Sequence, residues 1–312
     1  QSPMHPLECG FDYHYGTPGS NDAPGPPKQT LEAFNNATSD TWKIPLIRGR
    51  EVVEHPADQS LFTQRYTQEA VQWIEEKKDE SFFLYLAHNM PHIPIFASKN
   101  FQNKSDAGVF GDVVEEIDWS VGEVRKAVKA AGIEDNTLII FTSDNGPWTV
   151  FGPRHGGTAK PLRGEKGTSW EGGYRVPGIF HWPGKIKPGT VDGIGANLDL
   201  YATFATLTGA QSLPEEKPGW MSTDLTPTLL NGKSSPRTTW FYNPDVYRSG
   251  NFKIHRTTRR PTNPHTRERS PIARHDPPLL YNLEEDIGEL NNIAGRHPQV
   301  VSRLIQELEA AQ

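Results

Sequence analysis

Apolar residues along this chain follow two periods. Residues 60–78 place Tyr66, Ala70, Val71 and Ile74 on one face of a helix. Residues 81–87 (SFFLYLA) form a continuous apolar run, the pattern of a strand buried on both faces. Val113, Val114, Ile117, Val121, Val124 and Val128 then recur at three- and four-residue steps, and Gly132 suits a helix stop. Residues 137–142 (TLIIFT) read as a second buried strand. Strand, helix, strand at this spacing predicts a parallel crossover unit.

A glycine-rich loop runs from 152 to 173, and residues 174–182 read as a further strand, with Pro177 marking a bend or an edge. Residues 198–207 read as a helix closed by Gly209. The texture changes near 233. Residues 238–242, 252–255 and 278–283 read as short antiparallel strands, and a last helix turns Val300, Val301, Leu304, Ile305 and Leu308 inward. Residues 1–60 are rich in turn signals. The predicted class is α/β, with a mixed, mostly parallel sheet sandwiched by helices over 1–232. A smaller α+β subdomain follows over 233–312.

Composition narrows this further. The chain has 312 residues, a formal charge of -6 and 35% hydrophobic residues, enough for a real core. Mild acidity gives no general case for nucleic-acid binding. No run of about 18 apolar residues predicts a membrane span. Cys9 is the sole cysteine, so neither an internal disulfide nor a cysteine metal site is expected. No signal peptide and no initiator methionine are visible at Gln1.

The candidate chemistry sits where the buried strands end. The run 137–142 leads into Ser143-Asp144-Asn145-Gly146. Asp and Asn side by side offer two oxygen ligands to a hard cation, or else simply shape a strand-end turn. His92 lies just past the run 81–87, and His88, nearer the strand, reads as a supporting or structural side chain. Lys166 stands in Arg163-Gly-Glu-Lys-Gly-Thr-Ser-Trp-Glu-Gly-Gly173, with Lys160 as its alternative and Glu171, Gly172 and Gly173 shaping the loop. Parallel strands would bring these ends to one edge. A cation, an ammonium and an imidazole there suit an anionic tetrahedral group. Arg256, Arg259, Arg260, Arg267, Arg269 and Arg274 read as a solvated stretch or as a grip on a polyanionic sugar.

The blocks at 82–98, 111–121, 137–146 and 164–183 resemble, in order, those of the formylglycine-dependent sulfatases. These are the arylsulfatase branch of the alkaline phosphatase superfamily. Gly10-Phe-Asp-Tyr-His-Tyr-Gly16, Ser20-Asn-Asp22 and Pro278-Leu-Leu-Tyr-Asn-Leu-Glu-Glu-Asp-Ile-Gly-Glu289 are similar to family text as well. The resemblance implies an alkaline phosphatase-like fold and sulfate-ester hydrolysis, with a sulfated small molecule or glycan as substrate. It implies that Asp144 and Asn145 are metal ligands, usually of calcium. His92 would contact sulfate and assist the leaving group, Lys166 would bridge sulfate and nucleophile, and Ser20 would point a polar side chain toward sulfate. By family habit the location would be periplasmic, secreted or lysosomal; the oligomeric state stays open.

One departure stands out. The family's formylglycine arises from Cys/Ser-x-Pro-x-Arg, and that motif is absent. Cys9 is followed by Gly10 and Phe11, and Ser234-Ser-Pro-Arg-Thr238 has threonine where arginine is needed. The upstream paired aspartates and the Lys-x-His block are absent too. The chain thus resembles the carboxyl-terminal two-thirds of a sulfatase and is expected to be inactive by itself. Two rivals remain at this point: a phosphodiesterase or phosphonate monoester hydrolase of the same superfamily, and a non-catalytic remnant.

Overall fold

The computed structural model describes residues 5–26, 30–210, 221–259 and 270–312. These fall into two compact units. One gathers the stretches up to 134 and 148–158, the other 135–147, 159–259 and 270–312.

The first unit opens on strands β1 (Tyr15–Gly16), β2 (Leu46–Arg48) and β3 (Glu51–Glu54), an antiparallel sheet in that order. Its helices are α1 (Leu31–Asn35), α2 (Phe62–Lys77), α3 (Gly108–Ala130) and α4 (Pro153–Gly156). The sheet was not foreseen, because strands of two to four residues carry too few alternations to register as a period. It is held from below. Ile44, Leu46 and Ala57 pack on Phe62 and Tyr66 of α2, with Tyr15 and Leu86 against them.

Helix α2 buries Tyr66, Ala70 and Ile74, the face its spacing predicts. Helix α3 buries Val113, Ile117 and Val128, and Gly132 takes a left-handed φ of 71° just past its end. The two helices share a polar seam, in which Thr67 Oγ1 donates to Ser120 Oγ at 2.6 Å. The run 81–87 departs from expectation. It enters no strand ladder among the described residues, and Phe83 and Tyr85 are 59% and 71% exposed. A strand buried on both faces would hide them. Leu84 and Leu86, on the alternate positions, are half-buried, so this unit covers one face only.

The second unit pairs β4 (Ile139–Thr142) antiparallel with β5 (Gly178–His181), Ile139 opposite His181. All the ladders described are antiparallel; the predicted parallel pairing is not among them. Helices α5 (Glu171–Tyr174), α6 (Asp199–Thr208) and α7 (Thr226–Asn231) follow. Gly209 caps α6 with a left-handed φ of 69°, as its place in the sequence suggests.

The chain then runs up and down through β6 (Thr239–Asn243), β7 (Val246–Ser249), β8 (Phe252–Arg259) and β9 (Ile272–Asn282), a four-stranded antiparallel sheet in sequence order. Helix α8 (Pro298–Ala310) lays Val301, Leu304 and Leu308 on Tyr247, Ile254 and Leu280, one closed apolar core. The mixed class and the carboxyl-terminal sheet with its helix are as the sequence indicates. Of the arginine stretch, Arg256 and Arg259 lie in β8 and Arg274 in β9. Arg260, Arg267 and Arg269 lie outside the described residues.

Candidate functional site

The predicted residues divide between the units: Ser20 and His92 in the first; Asp144, Asn145 and Lys166 in the second.

In the first unit His92 closes a turn, its amide donating to the Asn89 carbonyl at 3.0 Å. Its Nδ1 lies 2.7 Å from the Ile93 carbonyl oxygen. A carbonyl only accepts, so that nitrogen carries a proton, and the neutral ring keeps its lone pair on Nε2. Ser20 is exposed, and the contact with His92 comes from its neighbour. Asn21, 1% exposed, places Oδ1 3.2 Å from His92 Nδ1 and donates from Nδ2 to the carbonyls of His92 (3.4 Å) and Pro94 (3.0 Å). Gln59 in turn donates to the Asn21 and Trp42 carbonyls, both at 3.1 Å. Buried amides bonded on this many sides fix the histidine turn. The sequence placed Asn21 inside a recognised segment but gave no sign of Gln59. Trp148 is also within reach, its ring centre 6.2 Å from that of His92.

His88 is turned toward helix α3. Its Nε2 meets Ser120 Oγ at 3.2 Å, and burial pulls its pKa down to about 4.

In the second unit Asp144 and Asn145 leave the end of β4, Asp144 exposed and Asn145 half-buried. Loop 163–174 is stitched to this turn. The Lys166 amide donates to the Pro147 carbonyl at 2.9 Å, and the Gly146 amide to the Gly173 carbonyl at 3.1 Å. Backbones this close leave no room for a side chain: a Cβ on Gly146 would stand 1.8 Å from the Gly172 carbonyl oxygen. Gly146→Ala must therefore part the turn from the loop. The expected cost is about 1–3 kcal/mol in a urea titration, since overpacking is relieved only by backbone shifts.

Calcium takes six to eight oxygens. Asp144 and Asn145 offer donors of the right kind, but among the described residues no group of three or more His, Cys, Asp or Glu side chains could hold a metal. Those two residues do not by themselves make a calcium site. The near-miss segment at 234–238 is engaged elsewhere. Ser235 Oγ donates to the Ile194 carbonyl at 2.6 Å, and Arg237 Nε to Asp199 Oδ2 at 2.8 Å.

The loop's far end enters a buried charge network. Lys253 Nζ donates to Glu171 Oε1 at 2.8 Å and lies 3.1 Å from Glu289 Oε1, which also accepts from His255 Nε2 at 2.8 Å. Tyr242 donates to Glu171 as well. Burial opposes ionisation of Glu171, yet Lys253, Tyr242 and Arg248 together hold its pKa below the usual value. His255 is pushed down to about 4, mainly by burial and against the pull of Glu289. Unfolded, that imidazole takes up its proton near 6.5. Between these values the unfolded chain binds the extra proton. Stability is therefore whole above about pH 6.5 and drains as pH falls toward 4. Urea midpoints measured at fixed pH should decline across this window in the wild type, and less steeply in His255→Gln.

Known proteins match along most of the chain. The sulfatase family profile covers residues 3–210, and that of the C-terminal region of aryl-sulfatase covers 235–312. Arylsulfatase A of Homo sapiens is 35% identical over 329 residues, spanning 96% of this chain and 64% of that protein. N-acetylgalactosamine-6-sulfatase of Mus musculus is 35% identical over 267 residues, 81% of this chain and 49% of that protein. The chain thus spans less than two thirds of the length of these relatives. Among solved structures, the PsFucS1 sulfatase from Pseudoalteromonas sp. is 28% identical, with a TM-score of 0.81 over 99% of this chain and 68% of that one. Ps i-CgsB in complex with k-i-k-neocarrahexaose is 27% identical, with a TM-score of 0.73 over 99% and 68%.

Proposed function

The chain belongs to the sulfatase family, and from that premise we propose that it serves the hydrolysis of sulfate esters, with a carbohydrate sulfate as substrate. The observation that carries the proposal is the stitching of the Lys166 loop to the turn after Asp144–Asn145. It seats an ammonium-bearing segment beside an acid–amide pair, at the end of a strand. The sugar assignment draws on the N-acetylgalactosamine-6-sulfatase relative and on the oligosaccharide bound to Ps i-CgsB.

Hydrolysis splits the S–O bond of the ester and releases an alcohol and sulfate. Two charges must be managed. In the proposed assignment the Lys166 ammonium offsets the sulfate oxygens, and His92 gives a proton to the departing ester oxygen. The hydrogen bond from Nδ1–H to the Ile93 carbonyl fits this role, because it leaves Nε2 as the nitrogen that gains and gives the proton. Asp144 and Asn145 are the proposed oxygen donors to the calcium that the family uses. That ion would supply Lewis-acid neutralisation of the sulfate group. Ser20, exposed one residue before Asn21, remains a candidate contact to substrate. The formylglycine nucleophile has no counterpart motif in residues 1–312. A periplasmic, secreted or lysosomal location accords with family habit. No helix among the described residues is long and apolar enough to cross a membrane.

Paired substrates test the assignment. The full-length protein should turn over an aryl sulfate faster than an aryl phosphodiester with the same leaving group. Faster phosphodiester cleavage would move the protein to the phosphodiesterase or phosphonate monoester hydrolase activity of the same superfamily.

A further inference from the structure

Both ends of the loop that carries Lys166 close on one residue far away in sequence. At its start Arg163 Nη1 donates to the Glu289 carbonyl oxygen at 2.8 Å. At its end the Glu171 amide donates to Glu289 Oε2 at 2.7 Å. The other carboxylate oxygen is occupied by His255 Nε2 at 2.8 Å and Lys253 Nζ at 3.1 Å. Glu289 is fully buried and holds a φ of 51°, a left-handed backbone that favours glycine. Glycine would take that backbone with less strain, so what a glutamate adds there is its carboxylate. Between the two anchors the loop turns through Gly164 and Gly167, both at positive φ, and touches the Asp144–Pro147 turn through the Lys166 amide.

We propose that Glu289 is a positioning residue for Lys166. By clamping residues 163 and 171 it fixes the backbone from which the Lys166 ammonium reaches its anion. A lysine has four flexible carbons between backbone and charge. Only a fixed base narrows the region that the ammonium samples, and preorganised charge is what stabilises a developing anion. Lys253 and His255 saturate Glu289 Oε1, which leaves Oε2 to the Glu171 amide. The inference rests on the proposed role of Lys166 as an anion contact.

A double-mutant cycle read by calorimetric titration of inorganic sulfate into the full-length protein tests it. Lys166→Ala should weaken sulfate binding roughly tenfold, the loss of one charge-assisted contact. Glu289→Gln should weaken it about fivefold when Lys166 is present and less than about twofold in the Lys166→Ala background, because coupled residues are non-additive. Arg163→Met, which removes the other anchor from an exposed side chain, should show the same coupling if Glu289→Gln fails to fold. Equal factors in both backgrounds would make Glu289 merely structural and overturn the inference while leaving the role of Lys166 intact. An unchanged affinity in Lys166→Ala would remove that role and the inference with it.

Discussion

Replacing His92 by alanine in the full-length protein is expected to lower kcat on a sugar sulfate by roughly 10²–10⁴-fold, the range for loss of a positioned general acid. On nitrophenyl sulfate the loss should be far smaller. A sugar alkoxide is a strong base and leaves only as it is protonated, whereas nitrophenolate departs unaided. The tautomer says which nitrogen does the protonating. With Nδ1–H committed to the Ile93 carbonyl and Asn21 alongside, Nε2 is the nitrogen on which a transferable proton would sit. Steady-state rates on the two substrates, measured on both proteins, give the comparison. Equal losses on the two would show that His92 binds or supports but does not protonate.

The largest expected effect on stability comes from Lys253. Its ammonium is fully buried between Glu171 and Glu289, and Arg248, 3.7 Å from Glu171, is the nearest substitute. Lys253→Met keeps the length and removes the charge. Two carboxylates then lie buried with too little to offset them, at a cost of about 3–5 kcal/mol. Urea unfolding of the variant measures it. Because the penalty belongs to the carboxylates left behind, Glu171→Gln made on top of Lys253→Met should recover part of it. The double variant should lose at least about 1 kcal/mol less than the two single losses added together. Strict additivity would mean that the three groups do not act as a network.

The same residues show where sequence stops being legible. Helices α2, α3 and α8 announce themselves because each hides one stripe of a long period. In β8, Phe252-Lys-Ile-His alternates apolar and polar, the text of a strand with one wet face. Yet Lys253 and His255 are as buried as Ile254. Ile254 enters the core under α8, while the polar face is covered by Glu171 and Glu289, supplied from distant segments. No local pattern encodes partners that arrive from 82 positions away, as Glu171 does for Lys253, or from 34, as Glu289 does for His255. The run 81–87 errs the other way, since apolar text cannot say how many neighbours the strand will meet. Among the proposed site residues, the end of β4, the glycines around Lys166 and the segment at Ser20-Asn21 stand out in the sequence by composition at strand ends and by family text. Asn21 as the partner of His92 does not, because two adjacent polar side chains differ only in which one the backbone turns inward. Gln59 gave no signal, and Glu289, although it ends a segment similar to family text, carried no mark of its role, because the partners of single polar residues are fixed only by tertiary structure.

In the proposed function both His92 and Lys166 act on sulfate. Side-chain NMR of the full-length protein, with inorganic sulfate as titrant, tests it most directly. The imidazole resonance of His92 and the ammonium resonance of Lys166 should shift together, with one dissociation constant and one equivalent of sulfate. Two different constants, or a shift at one residue with none at the other, would contradict it.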